Sequence, residues 1–454
     1  MMALEEIRVL SPTAILGYGF PLASFEAGLE RDPHVIAVDA GSTDPGPFYL
    51  GSGQSFTQRS AVKRDLHYLV AAALERNIPL IIGTAGGSGA MAHVDWNLSI
   101  VEEVLRELGR TASIAVIYSD IERDLAVEKL KKGEIQPLGP VDQLTEEDIR
   151  ASANLVAQMG LEPIMAALEA GAEIILAGRA YDPTVFAALP ILKGFDTGLA
   201  LHMGKILECA AIAATPGSGS DCLFGTLGRD SFVLEAPNPA RQCTKLSIAA
   251  HTLYEKSNPY ILPGPGGSLD LTETVFEELA GGKVRVSGTK YVPTEQYFVK
   301  LEGASLVGYR TVSIAGVRDP IMIEQIDSVI AGVKERVADN FQELKDYHLH
   351  VHCYGKNGVM GELEPTPVPG HELGLVIEAV GPSQEIADTI CSFARSTLLH
   401  YGYPGRKSTA GNLAFLYSPS DLSAGAVYRF NVHHLMQVDN PNSLFKMELG
   451  RSGL

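Results

Sequence analysis

Cysteine is scarce and never closely paired. Five residues (Cys209, Cys222, Cys243, Cys353 and Cys391) form an odd set without Cys-x-x-Cys spacing, which argues against a disulfide framework and for a reducing compartment. Basic residues are outnumbered, 36 Lys and Arg against 54 Asp and Glu, for a formal net charge of -18. Nucleic acid is therefore not an expected partner, because phosphate binding needs a concentrated basic surface. A local positive pocket for a small anion stays open. No apolar run approaches the ~20 residues of a membrane span. The opening stretch MMALEEIRVL lacks the basic-then-apolar order of an export signal. A cytoplasmic protein without membrane contact is expected. Solenoid repeats, long low-complexity tracts, His-Glu-x-x-His, EF-hand, kinase and Ser/His/Asp patterns are all missing.

What remains is a chain of 454 residues with 46% hydrophobic and 20% charged residues, an ordinary globular balance with ample material for a large core. The first half alternates short apolar strands with helices. VIAVDA, IPLIIG, ASIAVIYSD and AEIILAG read as buried strands; RSAVKRDLHYLVAAALERN and VDWNLSIVEEVLRELG read as helices, the former with Leu66, Leu69, Val70 and Leu74 at helical spacing. That alternation predicts an α/β fold with a parallel, doubly wound sheet over residues 1–215. Gly- and Pro-dense loops then mark an α+β cap region over 216–340, and a small α/β sandwich is expected over 341–454.

In a parallel α/β sheet, ligands bind beyond the carboxyl ends of the strands. The residues that follow the strands make one candidate rim: Asp39 and Ser42 after the second, Thr84, Gly86, Gly87, Ser88 and Gly89 after the third, and Arg179, Tyr181 and Asp182 after the last. Gly87, Gly89 and Ala92 fit a G-x-G-x-x-A dinucleotide fingerprint, but Asp120, the candidate ribose-binding acid, lies well beyond the usual ~20-residue spacing. No Gly-Lys-Ser/Thr follows, so this is not a Walker loop. The broader expectation is an anion at a glycine-rich helix start. Arg179 could grip a carboxylate or phosphate with two parallel hydrogen bonds; Asp182, followed by Pro183, reads as a helix cap.

The segment LHMGKILECAAIAA reads as a helix that is apolar nearly all round, so it should be buried. It nonetheless carries His202, Lys205, Glu208 and Cys209. At about 100° per residue, Lys205 falls at about 300° and Cys209 at about 340° from His202, with Glu208 beside Lys205 at about 240°. One polar stripe facing a wet cavity is the functional expectation; an ion pair with a core histidine and cysteine is the structural one. In KLSIAAHTLYEK, Leu246, Ala249 and Leu253 are expected to face the core, with His251, Tyr254 and Glu255 opposite. His251 is then a reserve acid or base. Lys300, Glu302 and Arg310 read as cross-strand charge pairing. His348, His350 and His352 share one strand face and read as a polar outer surface. Neither a cofactor nor a metal is identified from these patterns.

The runs GRAYDP, HMGKILECAA, PGSGSD, RQCTKLSIAAHTLYEK, GPGGSLDL, RVSGTKY, VKLEGA, VGYRTVSIAGVRDP and YGKNGVMG resemble the acyclic terpene utilisation (AtuA-type) family over nearly the whole chain. The resemblance implies a role in breakdown of branched acids, terpenes and other carboxylates. It also implies a small companion subunit, since no clear copy of the family's companion domain is seen; the three-histidine run is no part of the pattern. It carries no catalytic residues over. The leading expectation is an enzyme acting on a carboxylate or acyl-CoA, a lyase or hydro-lyase working by general acid/base chemistry. Arg179 and the Gly86–Gly89 amides hold the anion, His202 and Lys205 act at the reacting centre, and Glu208 orients Lys205. A non-catalytic scaffold subunit and an NAD(P)-dependent oxidoreductase are the alternatives. A small anionic substrate and a homo-oligomer complete the expected partners.

Overall fold

A computed structural model describes residues 4–254 and 257–453. The chain forms two compact units, one from residues up to Ser305 together with Phe430 onward, the other from Leu306 to Arg429. This divides the chain otherwise than the sequence texture at 215 and 340. The Gly/Pro-rich segments after Thr215 do not begin a new domain. Those at 216–221 and 236–242 are loops flanking antiparallel strands that join the first sheet, and the one at 258–267 holds a strand of a separate small sheet.

That sheet has ten strands. In spatial order they are Val275–Leu279, Lys283–Ser287, Ser231–Glu235, Leu223–Leu227, Ile7–Ser11, Val35–Asp39, Leu80–Gly83, Ile174–Ala177, Ala112–Ile117 and Met447–Ser452. The five strands from Ile7–Ser11 to Ala112–Ile117 are mutually parallel. The flanking strands run antiparallel. The parallel strands are continuous apolar runs because both faces are covered. Ile36 and Val38 point to a core shared with the helices Arg59–Arg76 and Met91–Leu108. Val35 and Ala37 point to the opposite core, shared with the helices Asp182–Leu192 and Thr197–Leu207. The two-residue period of a strand thus splits one sequence run between two cores. The last two helices pack so closely that a Cβ on Gly204 would lie 2.4 Å from the Pro183 carbonyl oxygen.

In the run TEEDIRASANLVAQ, Thr145 and Asp148 form a capping box, but the helix covers only Glu146–Ala151; the chain then becomes the strand Asn154–Ala157, paired with residues 301–304. The apolar helix ends at Leu207 and a 3-10 turn, Ala210–Ala213, follows Cys209. A three-stranded sheet, Ile261–Gly264, Gly267–Asp270 and Lys290–Pro293, completes the unit near the site. In the second unit, strands His348–Tyr354 and Leu373–Gly381 pack with the helices Ile326–Asn340 and Gln384–His400 around Val329, Val333, Leu375, Ile377 and Ile390. No helix among the described residues is long and apolar enough to cross a membrane.

Candidate functional site

A cavity of about 880 Å³ opens in the first unit. Arg179, Tyr181 and Asp182 enter it from the end of the strand Ile174–Ala177. Lys205 and Glu208 enter from the end of the apolar helix, and Lys300 from the strand that begins at Tyr297. Asp44 and Gln158 add polar groups. Leu138, Ile261, Pro263, Pro265, Phe298 and Leu435 give apolar lining, and Asn258, Ser268, Thr294 and Gln296 further polar groups. Its size and its mixed lining with a few convergent charges fit a small-molecule site.

Arg179 is almost wholly used by the protein. Its Nε donates to Glu302 Oε2 at 2.7 Å, and Nη1 donates to Asp182 Oδ1 at 3.2 Å and the Ala180 carbonyl at 3.0 Å. Only Nη2 makes no hydrogen bond among the described residues, so it is the amino group left for the cavity that Arg179 lines. The two-pronged grip expected from sequence is not available. Burial works against the guanidinium's charge; Glu302 and then Asp182 more than offset it, and the group stays charged. Glu302 is 1% exposed and also accepts from Lys300 Nζ at 2.8 Å and Thr43 Oγ1 at 2.6 Å. Burial pushes its carboxyl up, but Arg179 and Lys300 pull it down to about 2.

Lys205 donates to Glu208 Oε1 at 2.6 Å, and its ammonium sits 5.3 Å from the Tyr254 ring centroid. Burial works against its charge, yet Glu208 raises the ammonium above the ordinary lysine range. Lys205 is therefore a fixed cation and not a base. Asp182 begins its helix, whose cap is Tyr181, so it does not cap the helix with its side chain. It is a quarter exposed, to the cavity it lines. Burial raises its carboxyl although Arg179 and Lys205 both lower it. Burial likewise keeps the Tyr181 phenol protonated.

The other expected site residues lie behind this wall. His202 is sealed: its ring nitrogens face Thr289 Oγ1 at 2.7 Å and Thr252 Oγ1 at 3.0 Å, and Phe232 and Phe276 meet the ring edge-on. Burial, then Lys205, depresses it to about 3, so it is a neutral core histidine with no access to the cavity. His251 is also buried, because its helix turns Ile248, His251 and Thr252 inward and leaves Leu246 79% exposed. That is the reverse of the expected face; Glu255 lies outside the described residues. His251 stacks on Tyr254 at 5.4 Å and is lowered to about 4 by burial and Lys205. Cys209 lies beyond the helix end, at the start of the 3-10 turn.

The glycine loop does not line the cavity either. Gly86, Gly87, Ser88 and Gly89 are buried; Gly86 lies against His93, Gly87 against Phe56, and Gly89 against the strand end that carries Arg179. Gly89, at φ +71°, leaves no room for a Cβ, which would sit 2.1 Å from the Arg179 amide nitrogen. Ser119 ties the two together, donating to the Gly89 carbonyl at 2.8 Å and accepting from the Arg179 amide at 2.7 Å. Thr84, itself at φ +45°, accepts from the Ala180 amide at 3.3 Å. At the helix start that would meet a dinucleotide phosphate, the Met91 amide donates to Asp120 at 2.8 Å. Gly89 thus braces Arg179. Asp39 is buried near Asp182; burial and then the Asp182 charge push its carboxyl well above the usual range. Ser42 stays at the edge, accepting from the Asp44 amide at 3.1 Å.

Glu302 and Lys300 are the site residues that the cross-strand reading concealed, and Thr43, which follows the second strand, joins them through Glu302. Arg310 takes no part; it pairs with Glu378 at 2.6 Å. The signal was a carboxylate set in the apolar run Leu301–Ala304, where burial demands a partner. Among the described residues no cluster of three His, Cys, Asp or Glu could hold a metal. In the second unit His350 and His352 lie 4.3 Å apart, and His352 pairs with Glu378 at 3.1 Å.

No curated protein and no solved structure matches the chain. The model of the acyclic terpene utilisation family protein AtuA matches residues 55–220 and 230–416, most of the chain and all of Arg179, Lys205, Glu208, Lys300 and Glu302. The chain therefore belongs to the acyclic terpene utilisation family, AtuA.

Proposed function

We propose that the protein is a catabolic enzyme that takes an apolar-chain carboxylate or its acyl thioester into the cavity and moves a proton next to the carbonyl, as a lyase or hydro-lyase does. Membership of the AtuA family suggests a role in acyclic terpene utilisation. The observation that carries the reading is that Arg179, Lys205, Lys300 and Asp182 line one cavity together with apolar residues such as Ile261, Phe298 and Leu435. The apolar lining takes the chain; the cations take the oxygens.

In this reading Asp182 removes the α-proton, because a carboxylate with a raised pKa is the better base. The electron pair moves to the carbonyl oxygen, where the Lys205 ammonium meets the developing charge. Where a β-hydroxyl is present, that pair returns to form the α,β double bond as the β C–O bond breaks, and the hydroxyl leaves as water with the proton returned by Asp182. Glu208 holds Lys205 in place, and Arg179 Nη2 with Lys300 holds the anionic end.

The test is deuterium exchange. Medium-chain acids and β-hydroxyacyl and enoyl thioesters are incubated with the protein in deuterium oxide, and mass spectrometry reads label at the α-carbon. Exchange with at least one class is expected, lost by a factor of about a hundred or more in Asp182→Asn and Lys205→Met. No exchange with any of them, or full exchange in both variants, overturns the proposal.

A further inference from the structure

We propose that Glu302 is a positioning residue that sets how Arg179 and Lys300 face the ligand, which rests on the reading of the cavity as an anion site. Glu302 does not line the cavity. It stands behind it with both carboxylate oxygens in use: Oε2 takes Arg179 Nε at 2.7 Å, while Oε1 takes Lys300 Nζ at 2.8 Å and Thr43 Oγ1 at 2.6 Å. One carboxylate therefore fixes two cations that do line the cavity. It takes the edge of Arg179 that would serve a two-pronged grip and leaves Nη2 to the ligand. An anion in this site meets one guanidinium amino group and one ammonium, held by a common brace. The 302 position reaches Arg179 from another strand, so its register decides where the cations sit.

Two physical effects oppose each other here, and the sign of one measurement separates them. Coulomb's law alone says that removing the Glu302 charge leaves a more positive cavity and tighter anion binding. Loss of the brace says the opposite: the guanidinium turns toward Asp182 and the Ala180 carbonyl, Lys300 is released, and the anion loses a prepared pair. We hold that the brace dominates, because all three of its bonds are short and charge-assisted or buried.

The probes are octanoate and octan-1-ol, titrated calorimetrically against the full chain. Wild type is expected to bind octanoate more tightly than octanol. Glu302→Gln is expected to weaken octanoate by about tenfold and leave octanol unchanged, with Glu302→Asp partly restoring octanoate. Tighter or unchanged octanoate binding in Glu302→Gln, with the wild-type preference intact, overturns the positioning role and leaves the anion site standing. Equal binding of the two probes by wild type, or no binding of either, overturns the anion site and the positioning role together. Should Glu302→Gln not fold, Thr43→Val removes only the hydroxyl that fixes Oε1. A several-fold loss of octanoate with octanol unchanged then supports the brace, and no loss refutes it.

Discussion

Arg179 Nε and Glu302 Oε2 lie 2.7 Å apart across 123 residues of sequence, with both side chains nearly free of solvent. A buried charge left without its partner is costly, about 3–5 kcal/mol, whereas removing both charges often costs little. Arg179→Met and Glu302→Leu are each expected to lower unfolding stability by about that amount. The double variant should recover at least about 1 kcal/mol of the sum. Urea unfolding of the four proteins measures this; strict additivity would show that the two residues do not act as a unit.

Acid should weaken the fold through its histidines. His202 is held near 3 and His251 near 4 in the folded chain, by burial and then Lys205, while an unfolded histidine takes its proton near ~6.5. Their stabilising contribution is complete above that unfolded value. It is lost as pH falls through the folded values, at about 1.4 kcal/mol per pH unit for each group. Asp120, raised by burial to about 6, opposes this, since its ionisation penalty is relieved in the same descent. Urea midpoints measured from neutral pH down to mild acid should fall, and His202→Gln should flatten the slope. Equal slopes in the two proteins would mean that His202 gains a proton without unfolding.

The glycine loop makes a separate prediction. Because the Met91 amide already holds Asp120, NADH fluorescence should not change on titration with the protein; a saturable change would revive the nucleotide reading. Gly89→Ala should still disturb the cavity that Gly89 does not line, since its Cβ would collide with the Arg179 backbone. A loss of about 2 kcal/mol or more is expected, together with weaker octanoate binding. Wild-type stability and octanoate affinity in that variant would show that the loop does not brace Arg179.

The helix Lys245–Thr252 tests the reversed face directly. Ile248→Ala should cost about 2–4 kcal/mol, as for other buried Ile or Leu truncations. Leu246→Ala, at a 79% exposed position, should stay within about 0.5 kcal/mol. Thermal unfolding of both variants decides it, and the opposite order would restore the face read from sequence.

How far the sequence disclosed these features depends on how local each one is. The parallel strands were legible because burial on both faces leaves near-continuous apolar runs, as in VIAV and LIIG. The Lys205–Glu208 pair was legible because three residues of helix bring the two together. The fate of His202 was not, since Thr289, Thr252, Phe232 and Phe276 come from distant segments. The helix with Leu246 and Ile248 carries apolar residues on more than one face, so periodicity alone left its phase undecided. Glu302 was visible as a charge in an apolar run, but its partner on another strand was not. Nor does local composition reveal which sheet a strand will join, which is why the boundary at 215 dissolved into turns.

The strand Met447–Ser452 lies beside Ala112–Ile117 at one margin of the ten-stranded sheet. A ribosome releases that strand only after the intervening second unit has emerged. The first unit therefore waits, with one margin of its sheet open to chance pairing, until the second unit has been made. Its lasting closure comes later in translation than the stretch of chain that supplies most of its strands.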